Sequence, residues 1–372
     1  MRITILQGAF LPVPALRGGA IEKAWEALGQ AFAEQGHEVN HISRLCDGLP
    51  AREKIGKVTH YRVKGANAVS NPWMLKLLEI PYLIRAKRVL SEADVLVTHA
   101  FWAPLLLPRT RFGKLYLHVG RFPKGQMKLY QKASRFQVPS ASVAEAVIRE
   151  IPDRRKLVST LPYPLGWNVP ESTPMDERPK CLLYAGRLHP EKGILELIQA
   201  FVGIAQRERK DWVLKIMGPW REDQGGGGQQ YLSELQNLAN EYKASVQILD
   251  PVFSSSQLME HYQQARVFVY PSLATKGETF GLSVLEAMSC GCVPLVSDLG
   301  CFREFVVHGK NGFVFDIDSI RLVDNLRAEL RKILDSGNEL DAFSKEASKL
   351  AKTFEIKKVA TSYLEDFSKM LS

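Results

Sequence analysis

The chain alternates short apolar segments with longer amphipathic ones, and it does so twice. In the first half, the segments that fit β-strands are 3–6, 38–42, 58–63, 95–98 and 115–119, and helical periodicity covers about 21–35 and 73–90. Strand, helix and strand at this spacing form a parallel sheet that helices cover on both faces. Because 372 residues exceed what one core usually holds, we predict an α/β chain of two Rossmann-like, doubly wound domains.

The second half repeats the alternation. Its predicted strands are 181–185, 212–217, 246–249, 267–270, 293–297 and 313–315, and its predicted helices include 192–206, 229–241, 255–264 and 281–289. Residues 169–180 contain three prolines among polar residues without periodicity, which is typical of a linker. We therefore expect a first domain at 1–168, a second at 181–352, and a helix within 353–372 that returns to the first domain. The four glycines at 225–228 predict a mobile loop.

The basic charge lies in the first half. Residues 1–170 contain 25 Lys and Arg against 12 Asp and Glu, a balance of +13, whereas the rest of the chain sums to −4. One cluster is Arg85, Lys87 and Arg88, and a longer one spans 109–132 with aromatic residues among its cations. Such a surface fits an anionic membrane, an acidic acceptor or a solvated face without a partner. We expect no nucleic-acid partner, because no helix-turn-helix, RNP or zinc-finger pattern accompanies the charge.

Cysteine spacing and hydropathy indicate the cellular compartment of the protein. The five cysteines form no C-x-x-C pair and no Cys/His zinc spacing, so we expect reduced, buried thiols and no metal site. No apolar run of about 18 residues predicts a membrane span, and the apolar start is too short for a signal-peptide core. We expect a cytoplasmic protein that can bind the inner face of the membrane through its basic first domain.

The stretch K-G-E-T-F-G-L-S-V-L-E-A-M, which begins at Lys276, follows an apolar strand and opens a helix at about Gly281. In an open α/β sheet, ligands bind at the carboxyl ends of the strands, and the first turn of a helix offers N–H groups to anions. A diphosphate fits such a position. Glu278 lies on the loop and Glu286 within the helix, so both can face one ligand. Alternatively, the helix dipole favours Glu278, and Glu286 is an ordinary surface residue.

A second constellation, Y-A-G-R-L-H-P-E-K-G from Tyr184, joins the end of a strand to the start of a helix. Arg187 and Lys192 there suit the neutralisation of phosphates and of the charge that builds on a leaving diphosphate. A cation at a helix start is electrostatically unfavourable unless an anion accompanies it. Between the first strand and the first helix, Gly18 and Gly19 would let the backbone approach a phosphate closely.

Together these segments resemble the retaining glycosyltransferases of family 4, which have the GT-B fold. The resemblance runs along nearly the whole chain and is most specific in the second domain. There the matching motifs are A-G-R-L-x-x-x-K-G at 185–193, P-S-x5-E-T-F-G-L-S-V-L-E-A-M at 271–288 and N-G-F-V-F at 311–315.

The first domain adds motifs of its own to this resemblance. They are the glycine pair at 18–19, G-H-E-V at 36–39 and H-V-G at 118–120, a form of the family's strand-ending H-x-G. The segment 11–21, L-P-V-P-A-L-R-G-G-A-I, is similar to bacterial members assigned to surface or spore-coat polysaccharide.

The resemblance implies two domains that face each other across a cleft, the first binding the acceptor and the second a nucleotide-sugar donor. Glu278 would contact hydroxyls of the transferred sugar, Glu286 would hold the ribose, and Val252 would border the base. Arg187 and Lys192 would bind the diphosphate, and His118 would lie beside the anomeric centre. The predicted catalytic residues are thus His118 and Glu278, and the predicted donor-binding residues are Gly18, Gly19, Arg187, Lys192, Val252, Thr279, Phe280, Gly281, Leu282 and Glu286.

The sequence departs from the family pattern at three places. Pro162-Tyr-Pro stands where members usually have P-N-G, Asp250-Pro-Val stands near a usual glycine, and Gly300-Cys301 replaces a frequent Gly-Gly. These departures concern the base pocket and the geometry of the acceptor.

The expected activity is transfer of a sugar, with retained configuration, from a UDP- or GDP-sugar to a cell-envelope glycan or glycolipid. In the family's scheme the leaving phosphate acts as the base, so neither a metal nor another cofactor is expected. Two alternatives stay open: a catalytically silent nucleotide-sugar-binding scaffold, and a nucleotide-sugar epimerase of the same fold. A phosphorylase would need a cofactor lysine in a motif that the sequence lacks.

Overall fold

The computed structural model of the chain describes residues 1–16, 19–69, 71–107, 111–318 and 320–372. These residues divide into two compact units. Unit 1 is Met1–Trp167 together with Phe354–Ser372, and unit 2 is Asn168–Thr353. Both are doubly wound α/β structures, which confirms the predicted fold class.

Unit 1 contains an eight-stranded sheet in the order β3-β4-β2-β1-β5-β6-β7-β8, parallel except for the antiparallel edge strand β3. Its strands are β1 (Arg2–Leu6), β2 (Glu38–Arg44), β3 (Arg52–Ile55), β4 (Val58–Val63), β5 (Val95–Thr98), β6 (Lys114–His118), β7 (Ala133–Val138) and β8 (Val158–Thr160). The helices are α1 (Ala20–Glu34), α2 (Pro72–Val89), α3 (Ala103–Leu106), α4 (Ala141–Glu150) and α12 (Ile356–Leu371).

Apolar periodicity builds the core of unit 1. On α1, Trp25, Leu28 and Phe32 recur at three-to-four spacing and are fully buried. They pack on the face of the sheet that carries Ile3 and Val39, which lie opposite each other in the parallel register of β1 and β2. Helix α2 covers the other face.

The C-terminal helix α12 completes unit 1. Tyr363 and Phe367 are fully buried, and the Tyr363 ring meets Trp25 edge-on at 5.3 Å between centroids. The Tyr116 hydroxyl donates to Asp366 at 2.9 Å, and Arg135 forms an ion pair with the same carboxylate at 3.1 Å. Roughly 200 residues after leaving unit 1, the chain thus supplies part of its core.

Unit 2 contains a six-stranded, fully parallel sheet in the order β11-β10-β9-β12-β13-β14. Its strands are β9 (Cys181–Ala185), β10 (Val213–Met217), β11 (Val246–Leu249), β12 (Val267–Tyr270), β13 (Val293–Ser297) and β14 (Phe313–Phe315). The helices are α5 (Ile194–Val202), α6 (Gln206–Arg209), α7 (Gly228–Glu241), α8 (Ser255–Gln264), α9 (Leu282–Ser289), α10 (Leu322–Asp335) and α11 (Glu339–Ala351). In the register, Leu182 of β9 lies between Leu214 of β10 and Val267 of β12.

The segment 169–180, predicted as a linker, is fixed to unit 2. Arg178 is 2% exposed, and its guanidinium donates to the carbonyls of Ala265 and Cys290 and to the Ser172 hydroxyl, each at 2.8 Å. A buried guanidinium needs such acceptors, because an unpaired buried charge is costly. The prolines agree with the lack of helices and strands in this segment, but they did not predict its contacts with residues far along the chain.

The glycine run 225–228 forms a hydrogen-bonded turn rather than the expected mobile loop. Its four amides donate in succession to the carbonyls of Glu222, Arg221, Leu188 and Trp220, at 2.7 to 2.9 Å. A Cβ at Gly226 would lie 2.2 Å from the Trp220 carbonyl, so a larger residue would break the turn.

Candidate functional site

The strand order of unit 2 reverses between β9 and β12, which is where ligands bind in open α/β sheets. Two loops leave the carboxyl ends of these strands and are bonded to each other. The amide of Leu273 donates to the carbonyl of Glu191 at 2.8 Å. Gly193 has φ +68°, and a Cβ there would lie 2.2 Å from the Pro271 carbonyl. This close approach brings Lys192 and Glu278 together.

Lys192 and Glu278 form a buried ion pair. Their Nζ and Oε2 atoms are 2.8 Å apart, and their side chains are only 4% and 12% exposed. The ammonium also lies 5.6 Å from the centre of the Tyr270 ring. Removing both charges from water costs several kcal/mol per ion, which the contact between them offsets. The sequence predicted both residues as ligand contacts but gave no sign that they contact each other.

Arg187 lies beside this pair and is partly exposed. Its guanidinium donates to Glu191 at 2.7 Å and to the carbonyl of Gly225, and its own carbonyl accepts from the Tyr184 hydroxyl at 2.8 Å. Burial would raise the pKa of Glu191, but the positive charges of Lys192 and Arg187 outweigh it and lower that pKa. Two cations, Lys192 and Arg187, therefore lie beside two carboxylates, Glu191 and Glu278.

Tyr184 and Tyr270 lie beneath these charges as stacked rings, 5.7 Å apart and tilted by 7°. Burial and then the negative charge of Glu278 hold the pKa of both phenols well above the usual value. Both hydroxyls therefore stay protonated and can serve as hydrogen-bond donors.

Gly281 immediately precedes helix α9 and lies three residues after Glu278 of the ion pair. Gly281 has φ +87°, and a Cβ there would lie 2.3 Å from the Phe302 ring. Phe280 is buried with its ring 5.5 Å from that of Phe305, while Thr279 and Leu282 are half-buried. The anchored phenylalanine and the glycine fix where the positive end of the helix dipole lies.

In the sequence, Glu286 and Val252 lie further from the ends of β9 and β12 than Lys192 and Glu278 do. Glu286 is half-buried on α9, and burial, followed by the negative charge of Glu286, raises the pKa of the Tyr262 phenol. Val252 follows the edge strand β11, which is two strands away from β9. Their contacts with ribose and base stay predictions.

His118 ends β6 in unit 1 and is 3% exposed. The amide nitrogen of Gln137 donates to the Leu161 carbonyl at 2.7 Å, so its oxygen, 2.5 Å from Nδ1 of His118, accepts from that ring. Nε2 then accepts from the Tyr163 hydroxyl at 2.9 Å. Burial lowers the pKa of His118 to about 4, so the ring is neutral at physiological pH.

Tyr163 is the central residue of the P-Y-P departure, and its contact with His118 could not be read from spacing. Gly120 packs against both side chains. A Cβ there would lie 2.7 Å from Nε2 of His118 and 2.8 Å from the Tyr163 hydroxyl. The glycine of the H-x-G motif is therefore required by close packing against the histidine.

The phosphate contact predicted for Gly18 and Gly19, at the first turn of α1, stays a prediction. Gly18 lies outside the described residues. Gly19 has φ +107°, and a Cβ there would lie 2.2 Å from Oε2 of Glu22, so a carboxylate occupies the space next to the glycine. Burial raises the pKa of Glu22, whose Oε1 lies 3.9 Å from Nε2 of His99. Glu22 was not predicted as a site residue, because an acid in a first helical turn is usual.

His99, at the end of β5, belongs to the same part of unit 1. Its Nε2 accepts from the Gly8 amide at 3.2 Å, and burial lowers its pKa to about 3. Its ring centre lies 6.4 Å from that of His118. Two neutral imidazoles thus lie at the carboxyl ends of adjacent strands.

In the described ranges, no three His, Cys, Asp or Glu side chains are arranged to hold a metal ion. All five cysteines are free, and four of them are buried.

The family described as "Glycosyl transferases group 1" matches residues 167–350, nearly the whole of unit 2. Unit 2 therefore resembles this family along nearly its whole length. Its P-S-x5-E-T-F-G and A-G-R-L-x-x-x-K-G motifs lie on the two loops that carry the Lys192–Glu278 pair.

Curated relatives match this chain over different lengths. "Lipopolysaccharide 1,2-N-acetylglucosaminetransferase" of Salmonella typhimurium is 31% identical over 146 residues, which is 39% of this chain and 37% of the relative. "Putative glycosyltransferase YtcC" of Bacillus subtilis is 25% identical over 345 residues, which is 85% of this chain and 79% of the relative. The match to the first relative thus spans little more than a third of its length.

Solved structures resemble the whole chain. Sucrose-phosphate synthase from Thermosynechococcus elongatus has a TM-score of 0.78 at 18% identity, covering 100% of this chain and 99% of that one. HepE from Anabaena, solved in complex with UDP and glucose, has a TM-score of 0.73 at 17% identity, covering 99% and 100%. At such identities the likeness shows the fold alone. This fold is GT-B, as predicted.

Proposed function

We propose that the chain is a retaining, metal-independent glycosyltransferase. It would move a sugar from a nucleotide-diphosphate sugar, of the UDP or GDP type, to a glycan or glycolipid of the cell envelope. The observation that carries the proposal is the buried Lys192–Glu278 pair, with Arg187 beside it, at the switch point of unit 2. The group 1 family of this domain supports the reaction class.

The donor's diphosphate would bind at the carboxyl end of β9. Lys192 and Arg187 supply positive charge there, and the first turn of α9 adds backbone N–H groups with residues 279–282. Glu278 would turn from the ammonium to the hydroxyls of the sugar, as the resemblance to family 4 implies. HepE, solved with UDP and glucose, supports a UDP-sugar as the first donor to test.

In the proposed reaction, the bond between the anomeric carbon and the phosphate oxygen breaks, and a bond to the acceptor oxygen forms on the same face. The acceptor's proton passes to the leaving phosphate. Lys192 and Arg187 would stabilise the charge on that phosphate, the task that a metal ion performs in other transferases. Glu278, engaged by a buried ammonium, is suited to orienting hydroxyls rather than to taking a proton.

His118 is proposed to lie beside the anomeric centre as a neutral imidazole. Its pKa of about 4 supports a role as a hydrogen-bonding group rather than as an acid. Unit 1 would bind the acceptor, and the lipopolysaccharide-related name of one relative supports a cell-envelope acceptor. Four buried free cysteines fit the reducing cytoplasm as the compartment.

The test is release of nucleoside diphosphate from UDP-, GDP- and ADP-sugars, with and without EDTA, for the wild type and Glu278→Gln. We expect slow turnover of one donor, no effect of EDTA and loss of turnover in the variant. Loss of activity in EDTA that Mg²⁺ restores would contradict the metal-free scheme. Binding of one donor without turnover in the presence of lipid-linked glycans would indicate a scaffold, and isomerisation without an acceptor would indicate an epimerase.

A further inference from the structure

Helix α2 of unit 1 exposes large apolar side chains to solvent. Trp73 is 75% exposed, Leu77 57%, Ile84 54% and Met74 47%. These are four of the twelve large hydrophobic residues that are exposed in the described part of the chain. Single exposed apolar residues are ordinary, but a contiguous set of them usually marks an interaction surface.

The exposed residues lie on one side of the helix. Trp73, Leu77 and Ile84 are four and seven positions apart, which places them on the same face. The opposite face carries Tyr82 and Ala86, both fully buried against the sheet. The apolar residues of the outer face are therefore not needed to pack α2 against the sheet.

The charges on α2 are almost all positive. Lys87 and Arg88 are exposed in its last turn, and Arg85 is half-buried with its guanidinium bonded to the Lys64 carbonyl at 3.0 Å. The one carboxylate of the helix, Glu79, is 5% exposed and accepts from the Trp102 amide at 3.0 Å. The outer face of α2 thus combines apolar residues with cations and no exposed acid.

Neighbouring segments also place aromatic rings beside cations. Trp102, just before α3, donates from its indole to the Lys76 carbonyl of α2 at 2.8 Å, and the Lys76 ammonium lies 4.2 Å from the centre of the Phe101 ring. Phe101 in turn meets Tyr130 edge-on at 6.1 Å, next to the turn 126–129.

That turn and its surroundings repeat the pattern of exposed leucines beside lysines. Leu106 is 47% and Leu129 53% exposed, and Lys128 and Lys132 are exposed nearby. The predicted basic cluster at 109–132 is therefore divided: Lys114 instead bonds to the carbonyls of Met370 and Leu371, and Arg109 lies outside the described residues.

We propose that the outer face of α2, with the turn 126–129 beside it, docks on an anionic lipid bilayer. The apolar side chains would enter the boundary between headgroups and acyl chains, with the helix lying flat, and the Lys and Arg would meet anionic headgroups. Tryptophan suits this depth because it is apolar with one polar group. No described helix is long and apolar enough to cross a membrane, so the contact is a surface contact.

The test is binding to vesicles of phosphatidylcholine, with and without phosphatidylglycerol, using the full chain. We expect wild-type binding at least tenfold tighter with phosphatidylglycerol, and weaker at high salt. Arg85→Gln/Lys87→Gln/Arg88→Gln should lose this gain, whereas Lys345→Gln/Lys349→Gln/Lys352→Gln, which removes the same charge from unit 2, should retain it. Equal loss in both triple variants would overturn the proposal, because net charge alone would then account for binding.

The apolar contact is tested separately. Leu77→Gln/Ile84→Gln should weaken binding about tenfold, and Val307→Gln/Ile320→Gln, matched exposed residues of unit 2, should leave it unchanged. Brominated lipids should quench wild-type tryptophan fluorescence, with the quenching reduced in Trp73→Phe. Absence of vesicle binding, with a concentration-dependent dimer that Leu77→Gln/Ile84→Gln abolishes, would show that a second copy covers the face. Urea unfolding followed by circular dichroism reports on the folding of each variant, and it keeps a failure of docking distinct from a failure of the proposed sugar transfer.

Discussion

The ammonium of Lys192 and the carboxylate of Glu278 neutralise each other at 2.8 Å, at the edge of the sheet where two loops cross. Lys192 also lies 3.7 Å from Glu191, but its shortest ionic contact is with Glu278, and the two residues are proposed to contact different parts of the donor. In the proposed complex the diphosphate would replace Glu278 beside the ammonium, and the sugar hydroxyls would replace the ammonium beside Glu278.

Substitution of one partner of this pair should be more harmful than substitution of both. We expect Lys192→Met to lower the free energy of unfolding by about 3 kcal/mol, because Glu278 then loses its ammonium in a largely buried site. Glu278→Leu should cost less, because Lys192 still lies 3.7 Å from Glu191. The double variant should be more stable than the sum of the single losses predicts. Urea unfolding of the four proteins measures the coupling; additive losses would show that the two charges are solvated independently.

Gly281→Ala should weaken the start of α9 through a steric clash. The φ of +87° costs about 1 kcal/mol for alanine, and the contact with Phe302 adds about 2 kcal/mol. Gly309→Ala is the matched control, since it has φ +73° and no atom within 4 Å of the added Cβ. Thermal unfolding compares stability, and UDP titration should show a loss of affinity in Gly281→Ala only. Equal effects of the two variants would contradict the role of Phe302.

Tyr163→Phe should release Nε2 of His118. The phenol donates to this nitrogen only while the ring is neutral, so its removal should raise the pKa of His118 above about 4. Nitrogen-15 NMR of labelled histidine would follow both the pKa and the tautomer. Gln137→Leu, which removes the acceptor at Nδ1, should instead mix the two tautomers. An unchanged His118 spectrum in both variants would exclude the assigned network.

Glu79 should make unit 1 less stable as the pH rises. Burial raises the pKa of its carboxyl from 4.5 to about 7 in the folded protein, so the folded state holds a proton that the unfolded state has lost. Its stabilising contribution is complete below pH 4.5 and is lost as the pH passes 7. Glu79→Gln should therefore be more stable than the wild type by about 3 kcal/mol at pH 8 and similar to it at pH 4. Urea titrations at the two values check this, and a pH-independent difference would contradict it.

Phe367→Ala should destabilise unit 1 by about 3–4 kcal/mol, because the ring is fully buried and lies 4.7 Å from that of Tyr116. Hydrogen exchange read by mass spectrometry would locate the loss. Increased exchange in β5 and β6 with unchanged exchange in β9 and β12 is expected. A uniform increase along the chain would mean that the two units unfold together.

Local patterns predicted all six strands of unit 2 and the loops that carry Arg187, Lys192 and Glu278, because hydrophobic period and glycine position act over a few residues. In unit 1 they missed the strands β3, β7 and β8 and the helix α4. They did not predict that Lys192 contacts Glu278, 86 residues away, or that Tyr163 donates to His118, 45 residues away. Such pairs depend on strand order, which short-range periodicity does not contain.

Buried polar residues were the hardest to recognise. Arg178 lies in a segment with the composition of a linker, and Glu22 in a first helical turn where acids are frequent. Composition indicates only that Arg and Glu are usually exposed. In the fold, Arg178 instead donates to buried acceptors, and burial raises the pKa of Glu22.

The return of α12 to unit 1 has a consequence during synthesis. Ribosomes add about 5–20 residues per second, so roughly 10 to 40 s separate the emergence of Trp167 from that of Phe354. Throughout that interval, Trp25, Phe32 and Tyr116 lack the helix that covers them, while all of unit 2 can already be folded. The nascent chain therefore carries an open apolar surface near its beginning for most of its translation, which makes this surface a natural target for chaperones.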